Sequence, residues 1–395
     1  MEKKSLIFVA NPGSASRKYA LFEDGQNRAG IHFEYVGDSI VGTLSYDGQK
    51  RVINFDDKDL TTVSSHVLQM LRDNKVIGPN DKIDAIGIRI VAPSRRFMQD
   101  EVINTELLNA LSNLQEDDPL HIKSALEEIK QLQVYFKDVP IVAVSDSAFH
   151  KTKPERAWYY GVDTKLANKL GIERYGYHGI SLGSIVGRLK GSDILMPKTI
   201  ICHLGSGSSV TAVENGKSID NTMGYSPLEG VIMATRSGSI DVSAALAIKR
   251  DLKLSDHELE QYLDKQSGLL GVSGTSDDIR QLLNSESKGD NRAELALDLF
   301  VYRIQQAIGQ MAASLDGVNC LVFTGTVGER SNIIRTRITK QLSFLGFQVD
   351  KDINEETFEP TDVANIASHD SKPILVISTD EAAEIAHRTA DKVKI

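Results

Sequence analysis

Two short runs of glycine and serine, each set between apolar strands, are the residues whose types and spacing could do chemistry. The first is SLIFVA-NPGSAS-RKYALF from Ser5, and the second is TIICH-LGSGSS-VTAVE from Thr199. Each reads as a β-hairpin whose turn presents backbone N–H groups and hydroxyls. Glycine lets the backbone approach a ligand closely and successive amides form an anion-binding nest, so such a turn can cradle phosphate. One hairpin with a short polar turn is common and is usually structural. Two copies roughly half a chain apart point to a duplicated fold whose halves both offer phosphate-binding turns to one cleft.

Polar and cationic residues recur at strand ends and turns: IRIVAPS, DPLHIKS, VSDSAFH, YGYHGIS, HLGSGSS, MATRSGSID, GTSDDIR, FTGTVGER and ISTDEAAEIA. Each has a purely structural reading as well as a chemical one. Arg89 lies in the apolar run IGIRIVA, where a guanidinium needs either an ion-pair partner or a cleft. Arg236, in ATRSG, reads equally well as a helix-end charge. His121 (PLHI) and His178 (GYHG) have the apolar neighbours of core histidines, and Asp146, after VPIVAVS, has the position of a helix cap. Turn chemistry alone accounts for Asn11, Ser14 and Ser16. Ser378 and Glu381 have capping-box spacing ahead of the last helix.

The elements that must position these residues are set by periodicity. Strands of period two open the chain at Ser5 to Ala10, Arg17 to Glu23, Ile31 to Val36 and Thr43 to Tyr46. Helical patterns come next at Leu60 to Asn74, Leu107 to Gln115 and Ile122 to Leu132, between the buried-looking strands IDAIGIRIVA and VPIVAVSD. From Thr199 the order repeats: strands, helices near Ser243 to Arg250 and Ala293 to Leu315, a strand Leu321 to Thr324, then Ile374 to Ser378 and the helix Glu381 to Lys392. Mixed sheets with helices on both faces, in two related halves, fit this order. With 395 residues, 41% of them apolar, the chain can form two or three ordinary cores. A formal net charge of −9 provides no basic field for nucleic acid or an anionic membrane, so an anionic substrate must be held by local cations. MEKKSLIFVANPG is too short an apolar run for a signal peptide, and Cys202 and Cys320 sit in apolar runs as reduced buried thiols do. A cytoplasmic location is the expectation.

The strings NPGSASRK, VSDSAFH, YGYHG, HLGSGSS, MGYSPLEGVIMATRSG, SGLLGVSG and STDE, in that order, resemble the acetate kinase family, within the sugar kinase, Hsp70 and actin superfold. The likeness runs over nearly the whole length. It implies an α/β fold of two duplicated ribonuclease H-like (actin/Hsp70/sugar kinase-type) domains around a cleft. The expected domains are 1–147 plus 382–395, and 148–381 for the nucleotide. A homodimer is implied as well.

Phosphoryl transfer to a carboxylate needs no base for its nucleophile, since an acid of pKa about 4 to 5 is already ionised at neutral pH. The difficulty is electrostatic, because one anion must approach another, and cations, Mg²⁺ and in-line positioning resolve it. By resemblance Arg89 clamps carboxylate and phosphoryl group, Arg236 stabilises the transition-state charge, His178 meets the transferring group and His121 supports it. Asp146 orients Arg89 and the substrate end. Asn11 and Glu381 support Mg²⁺, or Mn²⁺ in its place, through waters. Lys18, Ser14 and Ser16 belong to the first phosphate turn. His203, Gly205, Ser206, Gly207 and Ser208 form the second, and Asp278, Ile279 and Arg280 meet ribose and base, with Thr326, Val327, Gly328 and Arg330 beside them. Val91, Leu120, Tyr177 and Pro227 line a pocket for the acyl methyl. The substrates implied are acetate or propionate, ATP and ADP, and acetyl phosphate.

The chain departs from the family at several places. Ile88 replaces a histidine, Ala92, Pro93 and Ser94 replace His-Gly-Gly, and Arg95 and Arg96 come directly after. Ser206 stands for an asparagine, Thr326 for a second glycine and Arg330 for an asparagine. A β-branched side chain at Thr326 crowds the base pocket, which opens pyrophosphate or a non-adenine nucleotide as phosphoryl partner. A sugar or polyol kinase, with Asp146 as base for a hydroxyl, and a non-catalytic nucleotide-binding protein are the rival readings.

Overall fold

Apolar runs without alternation form the centres of two sheets, and alternating runs form their flanks. The computed structural model describes residues 4–13, 16–36, 39–55, 59–78, 81–115 and 119–395, the side chains of residues 61 and 119–121 excepted. Its contacts divide into two units, Met1–Ala148 with Asp380–Ile395, and Phe149–Thr379. Glu381 thus falls in the first unit, whereas the sequence boundary lies just after it.

The first unit holds β1 (Leu6–Pro12), β2 (Ser16–Glu23), β3 (Gln26–Val36), β4 (Ser39–Tyr46), β5 (Gln49–Phe55), β6 (Ala85–Ile90), β7 (Glu101–Val102) and β8 (Ile141–Ser145). They form one sheet in the order β5-β4-β3-β2-β1-β6-β8-β7. β1 to β5 are an antiparallel meander, while β1, β6 and β8 are parallel neighbours and β7 is antiparallel to β8. Parallel strands covered on both faces read as continuous apolar runs, and β8 is buried at every position. β2 alternates only at its start, where Arg17 turns inward to an ion pair with buried Glu128 and Lys18 turns outward, before the buried run Tyr19 to Phe22.

The last helix, Glu381–Val393, packs on β6 at Gly87. A Cβ there would stand 2.2 Å from Thr389 Oγ1 and 2.7 Å from Ile385 Cγ2, so only glycine lets the helix lie this close. Ile385, Ala386 and Thr389 are its buried face, and Arg388 anchors it with a two-pronged ion pair to Asp100 at 2.9 and 2.5 Å.

The second unit holds β9 (Lys198–Leu204), β10 (Ser208–Glu214), β11 (Lys217–Asn221), β12 (Cys320–Thr324), β13 (Ala364–Asn365) and β14 (Ile374–Val376), in the order β11-β10-β9-β12-β14-β13. The logic of the first sheet returns: antiparallel hairpins at one side, then two parallel neighbours and an antiparallel edge. Along β9 the side chains divide by parity. Ile200, Cys202 and Leu204 join the core under the 24-residue helix Asn291–Ser314, and Ile201 packs with Leu182, Ile185 and Leu189 of the helix Gly179–Gly191. Cys202 and Cys320 are free and buried, and burial pushes both thiols up, that of Cys320 to about 12. No helix among the described residues is long and apolar enough to cross a membrane.

Candidate active site

In the first unit the site is assembled at the ends of β1, β6 and β8. Gly87 and Arg89 are two residues apart on β6 and so share a face, the one the last helix covers. That places Arg89 at the N-terminus of this helix, with Nη1 4.0 Å from Glu381 Oε2. Its Nη2 donates to Asp146 Oδ2 at 3.1 Å, and Asp146, directly after β8, is 1% exposed. Burial works against the guanidinium charge, but Asp146 and Glu381 outweigh it and hold the proton more firmly than in an exposed arginine. Asn11, at the end of β1, donates through Nδ2 to Glu381 Oε2 at 3.1 Å. Lys18 faces Asn11 in the strand register and is exposed. The capping box expected from Ser378 and Glu381 does not form. Asp380 is the N-cap instead, accepting from Ala383 N at 2.9 Å, because Ser378 turns its hydroxyl to Pro360 O at 2.9 Å. Glu381 is thereby left to Asn11 and Arg89.

The same residues bear on the metal that the resemblance implies. Among the described residues no three His, Cys, Asp or Glu side chains cluster as a metal cage. One carboxylate and one amide, Glu381 and Asn11, suit a hard cation that keeps most of its waters and takes further oxygens from phosphate, which is how Mg²⁺ is held. The donor set fits that ion.

In the second unit the turn Gly205–Gly207 closes with Gly205 N donating to Gly207 O at 2.9 Å and Ala234 N donating to Ser206 O at 3.1 Å. Ser208 Oγ reaches Gly205 O at 3.4 Å. A Cβ added to Gly207 would lie 3.2 Å from His178 Nε2 and 3.5 Å from Arg236 Nη1, so an imidazole and a guanidinium both face the turn. His178 precedes the helix Gly179–Gly191 with φ 62°, a left-handed conformation that costs a non-glycine residue of order 1 kcal/mol and recurs at functional sites. Its Nδ1 is 3.0 Å from Ser209 Oγ, while Nε2 is the ring nitrogen that faces Gly207. The parity that sends Ile201 toward this helix sends His203 there too, where Nδ1 meets Ser181 Oγ at 2.9 Å and the ring lies 4.2 Å from that of His178. Arg236 is not at a helix end. It sits in a loop, 17% exposed, with Nε donating to Asp264 Oδ1 at 2.6 Å.

The remaining candidates are spread over both units. Ser14 lies outside the described residues, as do the side chains of Leu120 and His121, while Ser16 accepts from Gly13 N at 2.9 Å through its backbone oxygen. Asp278 N-caps the helix Ile279–Glu286 and pairs with exposed Arg280, and hydrogen bonding to that arginine draws its carboxyl below the usual range. Ile279 turns its side chain into the core. Gly325 carries φ 76°, and a Cβ there would meet Leu204 O at 2.7 Å, so the glycine requirement falls on this residue. Thr326 is exposed in the first turn of the helix Gly325–Arg330, Val327 is partly buried, Gly328 is buried, and Arg330 pairs with Glu359. Val91 is buried in the first unit; Tyr177 and Pro227 are buried in the second, where Tyr177 Oη donates to Tyr225 O at 2.5 Å. Two contributors carry no sequence signal of their own, Asp264 and Ser181. Asp264 lies in LEQYLDK, which looks like any solvated helix face, and Ser181 is set only by the parity of β9.

Two mixed sheets of the same plan, each with a glycine turn beside charged side chains, define a phosphate-handling enzyme on duplicated ribonuclease H-like halves. The Acetokinase family matches over residues 6–387. The acetate kinase of Thermoanaerobacterium thermosaccharolyticum is 40% identical over 97% of this chain and 98% of its own length. Among solved structures, a propionate kinase from Francisella tularensis superposes with a TM-score of 0.90 at 34% identity, covering 98% of this chain and 99% of that one. Porphyromonas gingivalis acetate kinase superposes with a TM-score of 0.88 at 32% identity, covering 98% and 100%. The chain belongs to the acetokinase family.

Proposed function

We propose that the protein transfers a phosphoryl group reversibly between ATP and acetate, giving acetyl phosphate and ADP, by direct in-line displacement with Mg²⁺. Membership of the family makes it a phosphotransferase with a carboxyl group as acceptor. The observation that carries the mechanistic reading is the approach of His178 Nε2 and Arg236 Nη1 to the phosphate turn at Gly207. A carboxylate oxygen forms the new O–P bond while the bond from phosphorus to the β,γ-bridging oxygen breaks, and ADP leaves with the electron pair. No proton moves, so no general base is required. His178 and Arg236 meet the charge on the transferring group, and donors fixed in advance act most strongly where charge builds up. Arg89 receives the acetate carboxylate and is itself oriented by Asp146. Asn11 and Glu381 would hold Mg²⁺, which would supply neutralisation of the phosphate oxygens. Lys18, Ser14 and Ser16 are assigned to the first phosphate site, His203, Gly205, Ser206, Gly207 and Ser208 to the donor's phosphates, and Asp278, Ile279 and Arg280 with Thr326, Val327, Gly328 and Arg330 to the nucleoside. His121, whose side chain lies outside the described residues, is assigned a supporting contact to the transferring group. The protein works as a cytoplasmic homodimer.

Propionate is the second acceptor this reading admits, since a propionate kinase is among the structural relatives. Val91, Leu120, Tyr177 and Pro227 receive the acyl chain, and one methylene in such a pocket discriminates by about 1 to 3 kcal/mol. Trapping of acyl phosphate with hydroxylamine, across acetate and propionate and across ATP, GTP and pyrophosphate, tests the proposal. Hydroxamate from acetate with ATP is the expected result. Turnover with pyrophosphate alone, of glycerol or a hexose without acetate, or ATP binding with no turnover of any acid would each contradict it.

A further inference from the structure

Arg236 is held by a carboxylate that takes no part in the displacement at phosphorus. Its loop is bound along its length to the residues around the end of the helix Asp256–Lys265. Ser237 N donates to Leu263 O at 2.9 Å, Ser267 N to Thr235 O at 3.0 Å, and Leu269 N to Met233 O at 2.9 Å. Thr235 Oγ1 donates to Asp264 O at 2.8 Å. Gly268 lies with φ 64° against this loop, where a Cβ would stand 2.4 Å from Met233 O and 2.8 Å from Arg236 N. The backbone of Arg236 is therefore fixed, but its side chain still has several rotatable bonds and about 2 kcal/mol of rotamer entropy.

Asp264 removes that freedom. Its Oδ1 accepts from Arg236 Nε at 2.6 Å, its Oδ2 lies 2.9 Å from Lys265 Nζ, and the carboxylate is 11% exposed. Taking the Nε–H sets the plane of the guanidinium and leaves its Nη edge for other partners. Nη1 then faces Gly207, in the same space as His178 Nε2. A carboxylate beside a phosphate-handling arginine weakens the local positive field, so its benefit must lie in geometry. We propose that Asp264 is a positioning residue for Arg236, fixing the guanidinium through Nε so that its Nη edge meets the transferring phosphoryl group at the Gly205–Gly207 turn. This rests on the assignment of Arg236 to that group.

Steady-state kinetics of Asp264→Ala, Asp264→Asn, Arg236→Ala and the double variant Asp264→Ala/Arg236→Ala test it, with thermal unfolding of each. Asp264→Ala should lose roughly 10- to 100-fold in kcat, the range expected when an oriented donor is loosened, with KM for acetate and ATP within about threefold. Asparagine keeps an acceptor oxygen while removing the charge, so Asp264→Asn should recover most of that loss. The double variant should be no slower than Arg236→Ala. Asp264→Ser replaces the alanine variant if that chain does not fold. Unchanged kcat in Asp264→Ala, equal losses in the alanine and asparagine variants, or multiplicative losses in the double variant would each overturn the positioning role. Unchanged kcat in Arg236→Ala would instead overturn the assignment of Arg236 itself.

Discussion

The two glycine turns occupy the same place in their sheets and have different side chains around them. β1 and β2 frame the first as β9 and β10 frame the second, and a parallel strand lies beside each hairpin, β6 in one sheet and β12 in the other. Around the first turn Arg89 faces two carboxylates, Asp146 and Glu381, and exposed Lys18 lies across from Asn11. Near the second, two cations, Arg236 and Lys265, share the single carboxylate Asp264, with the imidazoles of His178 and His203 alongside. A carboxylate beside an amide, as in Glu381 and Asn11, suits a hydrated cation, whereas a guanidinium and an imidazole facing one turn suit phosphate. The duplicated scaffold places a hairpin turn at the same position in each sheet, and different side chains are brought to each.

The difference originates at the parallel strands and the helices packed on them. β6 carries Arg89 itself and receives the last helix at Gly87, so the chain's C-terminal segment brings in Glu381. β12 runs directly into Gly325, whose positive φ starts a short helix directly against β9.

The comparison can be broken by removing one arginine at a time. Arg236→Ala and Arg89→Ala should each lower kcat roughly 10³-fold, the scale of a lost transition-state donor. Arg89→Ala should also raise KM for acetate, and Arg236→Ala should not. Equal effects on KM from both would remove the division of labour. A smaller effect is expected from Gly207→Ala, because its Cβ would enter the space 3.2 Å from His178 Nε2. Activity should fall roughly 10- to 100-fold while the unfolding temperature stays nearly constant, since no core atom moves. Unchanged kcat would show that nothing reacts beside that turn. Smallest in catalytic terms is Gly87→Ala, where overpacking against Thr389 and Ile385 should cost about 1 to 3 kcal/mol of stability. Chemical denaturation measures that loss, and no change in the midpoint would mean the last helix is not fixed by β6.

Much of this arrangement is legible in the chain itself. The glycine turns, the parallel strands and the last helix announce themselves through local composition and period, which is why Asn11, Arg89, Asp146 and Gly207 stand out from sequence alone. Strands β5 and β11 do not, because an exposed edge such as QKRVINF lacks a buried face to enforce alternation. The capping box fails because Asp380, two residues closer, is the better-placed cap, and propensity cannot rank two such near candidates. Asp264 is invisible in the sequence because its partner lies 28 residues earlier and the pair is formed only when the loop is laid against the helix.

Magnesium titration of Glu381→Gln beside Arg236→Ala tests the central claim most directly. On the proposed assignment Glu381 helps hold the cation and Arg236 does not, so the defect of Glu381→Gln should shrink as Mg²⁺ is raised well above its normal half-saturating level. The kcat of Arg236→Ala should stay low at every concentration. Relief of Arg236→Ala by Mg²⁺, or a Glu381→Gln defect that no Mg²⁺ concentration alters, would contradict the account.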